Sequence, residues 1–329
     1  MSTKTIRILS SEDIKKALSM AEAVNAMEKA FSQLSGGQAT VPLRVGIDMP
    51  KTAGTALFMP VYLPDIDKAG VKVVSVFRDN PQIGLPMIDA LVMVMNAANG
   101  QPLAVMNGEV LTAMRTGAAS GLATRLLSRK NSQVAAIIGA GAQAYTQLEA
   151  VCSVRDIKHV FIMDIEADRA EKFANEMSEK LSLSIEVIRD ESKLKEADII
   201  CTATSSFTPV FKDINLKPGV HINGIGSYKP PMQEIPEDTI VRAKVVVDSR
   251  EACLSEAGDL IQPLKNGRIT EKHIHAELGE IVNGVKTGRV DEEEITLFKS
   301  VGNAVQDLAA ANIVVQKAEE MGLGTIVSI

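Results

Sequence analysis

The sequence predicts an α/β protein, in which a doubly wound parallel sheet is joined to a second, α+β domain. Three observations carry this reading. From Val134 onward, six short apolar segments alternate with helical stretches: Val134–Ile138, His159–Met163, Ile185–Ile188, Asp198–Thr202, His221–Ile225 and Lys244–Val247. Short apolar strands interleaved with helices suit a parallel sheet covered on both faces. The first segment runs into Gly139-Ala-Gly141 and a helix pattern from Ala142 to Val151. The residues from Val41 to Ala104, by contrast, form consecutive strand-like runs with no helix among them, the pattern of a separate α+β block.

Taken in order, Ser19 and Glu22 have the spacing of a capping box, and the helix they open stops at Gly36-Gly37. Strands follow at Leu43–Met49, Leu57–Leu63, Gly70–Phe77 and Met87–Asn96, separated by Pro50, Gly54, Pro64, Pro81, Gly84 and Gly100. A helix from about Val110 to Ser128 leads into the alternating region, and a long helix from Gly302 to Gly322 closes the chain. No repeat, low-complexity tract or flexible linker interrupts this order. The expected division is therefore residues 1–115 with 305–329 in one domain, and 116–304 in the other.

A chain of 329 residues suggests about two domains, and 46% hydrophobic residues supply ample core. The net charge of −6, the lack of any basic block, the absence of tryptophan and an aromatic content of 3% argue against a nucleic-acid partner. No run approaches the ~18 apolar residues of a membrane span, and Met1–Arg7 carries no signal-peptide pattern. A cytoplasmic protein is expected, with no membrane partner. Cys152, Cys201 and Cys253 are odd in number and lie among apolar neighbours, which reads as buried free thiols. His273 and His275 alternate as strand neighbours without thiols or clustered acids, so no metal site is expected.

The glycine turn carries the first chemistry. Gly139 permits a tight turn, Gly141 lets backbone approach a pyrophosphate, and Ala144 lets the helix pack closely on the sheet. The helix N-terminus then offers free N–H groups and a partial positive charge. Asp164 ends the next strand, twenty residues after Ala144, where an acid accepts hydrogen bonds from the adenosine ribose. These parts together predict a Rossmann-type dinucleotide domain. Asp164 favours NAD over NADP; Arg169, five residues later, leaves NADP as the alternative. In such a sheet the crevice lies beyond the carboxyl ends of the strands, which makes Thr202, Ala203 and Thr204, with Gly224, Ile225 and Gly226, candidate cofactor contacts.

Three basic residues outside this domain suggest a second ligand. Lys72 sits in Ala69-Gly-Val-Lys-Val-Val-Ser-Val-Phe77, where both strand faces are apolar. The sheet is therefore expected to be covered on both sides, and a lysine there needs an anion or loses its proton; otherwise it snorkels from a strand end to water. Arg44 lies with Asp48 on the polar face of its strand, opposite Leu43, Val45, Ile47 and Met49, and a solvated face reads it equally well. Arg115 opens the small-residue stretch Thr116-Gly-Ala-Ala-Ser120, where it either clamps a carboxylate bidentately or stands exposed on its helix.

With these pieces placed, the chain from about Leu57 to the last helix resembles the ornithine cyclodeaminase/mu-crystallin family. The stretches that carry the resemblance are Ala69-Gly-Val-Lys-Val-Val74, Met114-Arg-Thr-Gly-Ala-Ala-Ser120, Gly139-Ala-Gly-Ala-Gln-Ala144, Ala276-Glu-Leu-Gly-Glu-Ile-Val-Asn-Gly284, and Phe298-Lys-Ser-Val-Gly302 followed by Asp307. The resemblance implies NAD(P) binding and a homodimer built through the non-nucleotide domain, which would also bind substrate. It implies that Arg44, Lys72 and Arg115 meet a substrate carboxylate, and that Ser300-Val301 lie near the nicotinamide. Thr116, Gly139, Ala140, Gly141, Ala142 and Gln143 complete the expected cofactor contacts.

Two departures separate the chain from the family's cyclodeaminases. Leu57, in Leu57-Phe-Met-Pro60, replaces an acid, and Tyr228, in Gly226-Ser-Tyr-Lys-Pro230, stands where they carry a catalytic aspartate. Tyrosine, with an ordinary pKa of ~10, is a poor base at neutral pH, although it can donate a proton or orient water. The expectation is an NAD(P)H-dependent reductase of 2-imino acids, acting on a cyclic ketimine such as pyrroline-2-carboxylate or, as an alanine dehydrogenase, on pyruvate plus ammonia. Ornithine cyclodeaminase and a non-catalytic mu-crystallin-type binding protein are the alternatives.

Overall fold

The computed structural model describes residues 4–329. The chain divides into two compact units: one runs to Arg115 and resumes at Asn303–Ile329, and the other is Thr116–Gly302. The first unit opens with β1 (Thr5–Leu9), α1 (Ser11–Ala17) and α2 (Met20–Ser35). Ser10 with Asp13, and Ser19 with Glu22, form capping boxes that each satisfy two backbone N–H groups at the helix start. α2 stops at Gly36-Gly37, where Gly37 adopts φ +67°. Then come β2 (Val45–Met49), β3 (Gly54–Leu63), β4 (Lys68–Phe77), β5 (Ile88–Asn96), β6 (Pro102–Asn107) and α3 (Gly108–Leu127).

The division between units falls inside α3. Beyond it lie β7 (Val134–Ile138), α4 (Ala142–Val154), β8 (His159–Met163), α5 (Ala167–Leu181), β9 (Ser184–Val187), β10 (Ile199–Thr202) and β11 (His221–Gly224). The second unit continues through α6 (Glu237–Arg242), β12 (Lys244–Val247), α7 (Arg250–Glu256), α8 (Gly258–Lys265), β13 (Ile274–Glu277), α9 (Leu278–Val282) and β14 (Thr296–Lys299). α10 (Ala304–Met321) and β15 (Thr325–Ser328) belong to the first unit again.

The second unit is a parallel sheet in the order β13-β12-β14-β11-β10-β7-β8-β9. Strand order reverses at β7, with β8 on one side and β10 on the other. Residues alternate between two buried clusters: Ala136, Ile138, Phe161 and Ile200 on one face, Ala135, Ile137, Val160 and Ile199 on the other. The predicted α/β class holds, but the sheet has eight strands where six were expected. β13 (Ile-His-Ala-Glu) and β14 (Thr-Leu-Phe-Lys) are four residues long and half polar, too short and mixed for an apolar signal. The expected pairing of His273 and His275 on a strand also fails: only His275 lies in β13, and His273 ends a 3-10 turn.

The sheet of the first unit runs β15-β1-β6-β5-β4-β3-β2, antiparallel except for the β1–β6 pair. α10 packs against α2, β3, β4 and β5, on the face where Met59, Val61, Leu63, Val92 and Val94 are buried. A Cβ at Gly70 in β4 would sit 3.0 Å from Leu308 Cδ1 of α10 and 2.7 Å from the Met93 carbonyl oxygen of neighbouring β5. Among the described residues, no element of the same chain covers the other face. There Val45, Phe58, Val73 and Leu91 form one cross-strand row, and Val45 and Leu91 are 57% and 54% exposed.

Candidate active site

In the first unit, Lys72 and its β-sheet partners Met59 and Val92 form the face under α10. Lys72 lies two residues on from Gly70, which faces Leu308 of α10, and so points to the same helix. Asn303 caps α10 through a capping box with Gln306 and so sets the position of the next residue, Asp307. Asp307 Oδ2 lies 2.8 Å from Lys72 Nζ, and its Oδ1 accepts a hydrogen bond from Arg115 Nε at 3.0 Å. Gln306 Oε1 takes the Nη1 end of the same guanidinium. Lys72, Arg115 and Asp307 are all buried, so neither solvated alternative for Lys72 or Arg115 describes the fold.

Burial pushes the Lys72 ammonium down to about 8, with Asp307 opposing the shift and Arg115 and Arg44 reinforcing it. Arg44 precedes β2 and is half-buried; its charge acts on Lys72. Asp307 thus pairs with both Lys72 and Arg115. Two buried cations held against one carboxylate suit an anionic ligand.

In the second unit, Gly139 adopts φ +95°, and a Cβ there would meet the Ala203 carbonyl oxygen at 2.7 Å. Gly141 is the N-cap of α4 with no side-chain cap, and the space its Cβ would enter is open. No acid lies in the first turn of α4, so Ala142 and Gln143 begin a helix whose positive end is uncompensated. Asp164 is partly committed to the turn itself: Oδ2 accepts from Ala140 N at 2.7 Å and Oδ1 from Glu166 N at 2.8 Å. Lone pairs remain on both oxygens for a ribose. Arg169 is exposed and pairs with Glu166 at 3.0 Å.

Glu234, missed in the sequence, ties the ends of β10 and β11 together. Its carboxylate accepts from Thr202 Oγ1 (2.9 Å), Thr204 N (2.6 Å), Gly226 N (2.7 Å) and Ser227 N (3.2 Å). Burial raises its pKa, Lys299 lowers it and Asp259 raises it. A Cβ at Gly226 would lie 2.1 Å from the Thr204 carbonyl oxygen, so only glycine admits this approach. These bonds set the positions of Ala203 and Ile225, the residues between them. Asp248 does the same beyond β14, its Oδ2 accepting from Ser300 Oγ (2.7 Å), Val301 N (3.0 Å) and Gly302 N (2.8 Å). The Ser300 hydroxyl thus gives its hydrogen to Asp248 and keeps its lone pairs to accept. An acid directly after an apolar strand was the signal that found Asp164, and Asp248 carries the same signal; Glu234 sits in a loop and carries none.

Thr116 is buried at the start of the second unit's part of α3. Tyr228 lies beyond β11, 44% exposed, with Lys229 Nζ 5.6 Å from its ring centroid. Cys201 and Cys253 are buried free thiols, but Cys152 is only half-buried. Among the described residues, no group of three or more His, Cys, Asp or Glu is placed to hold a metal ion, and no helix is long and apolar enough to cross a membrane.

The family model for the ornithine cyclodeaminase/mu-crystallin family matches residues 4–322. The chain belongs to this family. Its relatives include the Delta(1)-pyrroline-2-carboxylate reductase of Bacillus cereus, 41% identical over 319 residues that cover 96% of this chain and 98% of that one. Among solved structures, the Thermococcus litoralis Delta(1)-pyrroline-2-carboxylate reductase in complex with NADH and L-proline matches with a TM-score of 0.93 and 46% identity, covering 97% of this chain and 99% of that one. An archaeal alanine dehydrogenase dimer with bound NAD matches with a TM-score of 0.91 and 38% identity, covering 99% of each chain. Family members of these two kinds share the whole fold of this chain, both units included.

Proposed function

We propose that the protein is an NADH-dependent reductase of 2-imino acids, with pyrroline-2-carboxylate its substrate and L-proline its product. The observation that carries the reading is the buried Lys72–Asp307–Arg115 cluster in a chain whose relatives, matched nearly end to end, are named as reductases of that imine. Two buried cations paired with one carboxylate suit a substrate that itself carries a carboxylate.

The residues present fit a dinucleotide. The left-handed Gly139, the open space at Gly141, the uncapped N-terminus of α4 and the acceptors on Asp164 are the parts its pyrophosphate and ribose require. Gly139, Ala140, Gly141, Ala142, Gln143 and Asp164 would hold it, with Arg169 nearby. Thr116, Thr202, Ala203, Thr204, Gly224, Ile225, Gly226, Ser300 and Val301 would complete its contacts. When bound, the nicotinamide supplies the hydride. Arg115 and Arg44 hold the substrate carboxylate, and fixing that group orients the imine carbon. Lys72 keeps a proton at the imine nitrogen, making the adjacent carbon more electrophilic. Tyr228 is proposed to orient water or donate a proton rather than act as a base.

The exposed row through Val45 and Leu91 supports a homodimer formed through the first unit, since apolar residues so exposed on a sheet face call for a partner. A second reading is alanine dehydrogenase, favoured by the 38% identity to the archaeal enzyme; the same cations would hold the imine of pyruvate. Supplying NADH with pyrroline-2-carboxylate, or with pyruvate and ammonia, and comparing kcat/KM separates the two.

A further inference from the structure

Asp307 stands outside the residues that sequence reasoning assigned to the site, yet it touches two of them. It projects from the first turn of α10, is buried, and divides its two oxygens between Lys72 Nζ at 2.8 Å and Arg115 Nε at 3.0 Å. Gln306, the preceding residue, holds the Nη1 end of the same guanidinium. The Asn303–Gln306 capping box and the close passage of α10 over Gly70 leave this carboxylate little freedom to move. We propose that Asp307 is a positioning residue for imine reduction: it holds Lys72 protonated and aims it, while fixing the Arg115 fork for the substrate carboxylate.

Three observations support this role. Among the described residues, the charged groups that act most strongly on Lys72 are Asp307 from α10, Arg115 from α3 and Arg44 ahead of β2. Of these, Asp307 alone favours the ammonium; burial and both arginines oppose it. Removing the carboxylate therefore takes away the group that raises the Lys72 pKa and shifts the lysine towards its neutral form. The carboxylate is buried and contacted on both oxygens by the two cations, so its place is to hold them. Finally, a bond to Nε and one to Nη1 fix the plane of the Arg115 guanidinium, and a fork works only when its plane is set.

The assignment rests on the imine-reductase reading, and the test separates the two. Wild type, Asp307→Asn and Asp307→Glu are compared as holoenzymes with NADH. Turnover of pyrroline-2-carboxylate is followed against pH. In parallel, the Lys72 side chain is titrated by 13C NMR of ε-labelled lysine, its signal assigned with Lys72→Arg. Asp307→Asn is expected to lower both the alkaline limit of kcat/KM and the Lys72 midpoint by about one pH unit or more, the effect of an opposite charge at this range. Asp307→Glu restores most of the midpoint but not of kcat, because the charge is kept and its place is not. A Lys72 midpoint that does not move in Asp307→Asn, or a kcat that falls equally at every pH, overturns the assignment. Should Asp307→Asn lose its fold by thermal melting, Asp307→Glu decides: wild-type kcat in that variant overturns the proposal, and reduced kcat with an intact melt upholds it. A wild type that reduces no imino acid overturns the reductase reading instead, and the titration alone then judges Asp307.

Discussion

Lys72 is the residue on which the chemistry turns, and its environment gives the activity a pH signature. Its ammonium titrates near 8 because burial outweighs Asp307. If the protonated form is needed, kcat/KM is full below that pH and declines as pH rises through it; a profile flat to pH 10, where an ordinary lysine titrates, would count against the role. Lys72→Ala should cost about 10²–10⁴ in turnover while NADH binding, measured by fluorescence, stays nearly unchanged. Loss of both together would make the lysine structural. His221 is a contrasting buried residue. Its Nδ1 lies 2.9 Å from Thr296 Oγ1 and its Nε2 lies 3.1 Å from Asn223 Oδ1; burial holds it neutral down to about 3. In the unfolded chain it takes a proton near pH 6.5. Its contribution to stability is therefore full above that pH and declines as pH falls towards 3, by about 2 kcal/mol at pH 5. His221→Gln should flatten that acid slope in denaturant titrations; an unaltered slope would assign it to other groups.

At the scale of elements, close approach between backbones recurs. α3 and α4 meet where a Cβ at Gly117 would lie 2.4 Å from the Thr146 carbonyl oxygen, which explains the small residues of α3 within the second unit. Gly117→Val should force these helices apart at a cost of about 1–3 kcal/mol, read as a lower melting temperature and weaker NADH binding; wild-type values for both would show that the contact yields freely. This scale was largely legible in the sequence. β7, β8 and β12 match their expected bounds, and the capping box at Ser19 and the stop at Gly36 lie where composition put them. β13 and β14 were missed because a four-residue strand completed by its neighbours needs no periodicity of its own. The candidate site was legible only in part. Lys72 and Arg115 stood out as cations among apolar or small residues, but pairing with Asp307 joins β4, α3 and α10, which are far apart in sequence. Glu234 was invisible for the same reason: its four donors come from the ends of β10 and β11, far apart in sequence.

For the whole molecule, both ends of the chain contribute to one seven-stranded sheet, β1 against β15, with a face of apolar side chains open to solvent. Leu91→Asp would set a charge in the centre of that face. It should convert a dimer to monomer in analytical ultracentrifugation without unfolding either unit, whereas an unchanged mass would show that the subunits meet elsewhere. The most direct test of the account is to mix the wild-type enzyme with NADH and pyrroline-2-carboxylate and to quantify NADH loss and L-proline together. The account predicts one NADH consumed for each proline formed, at a kcat/KM above that for pyruvate with ammonia. NADH that binds but is not consumed, or ammonia released from ornithine with no net change in NADH, would contradict it.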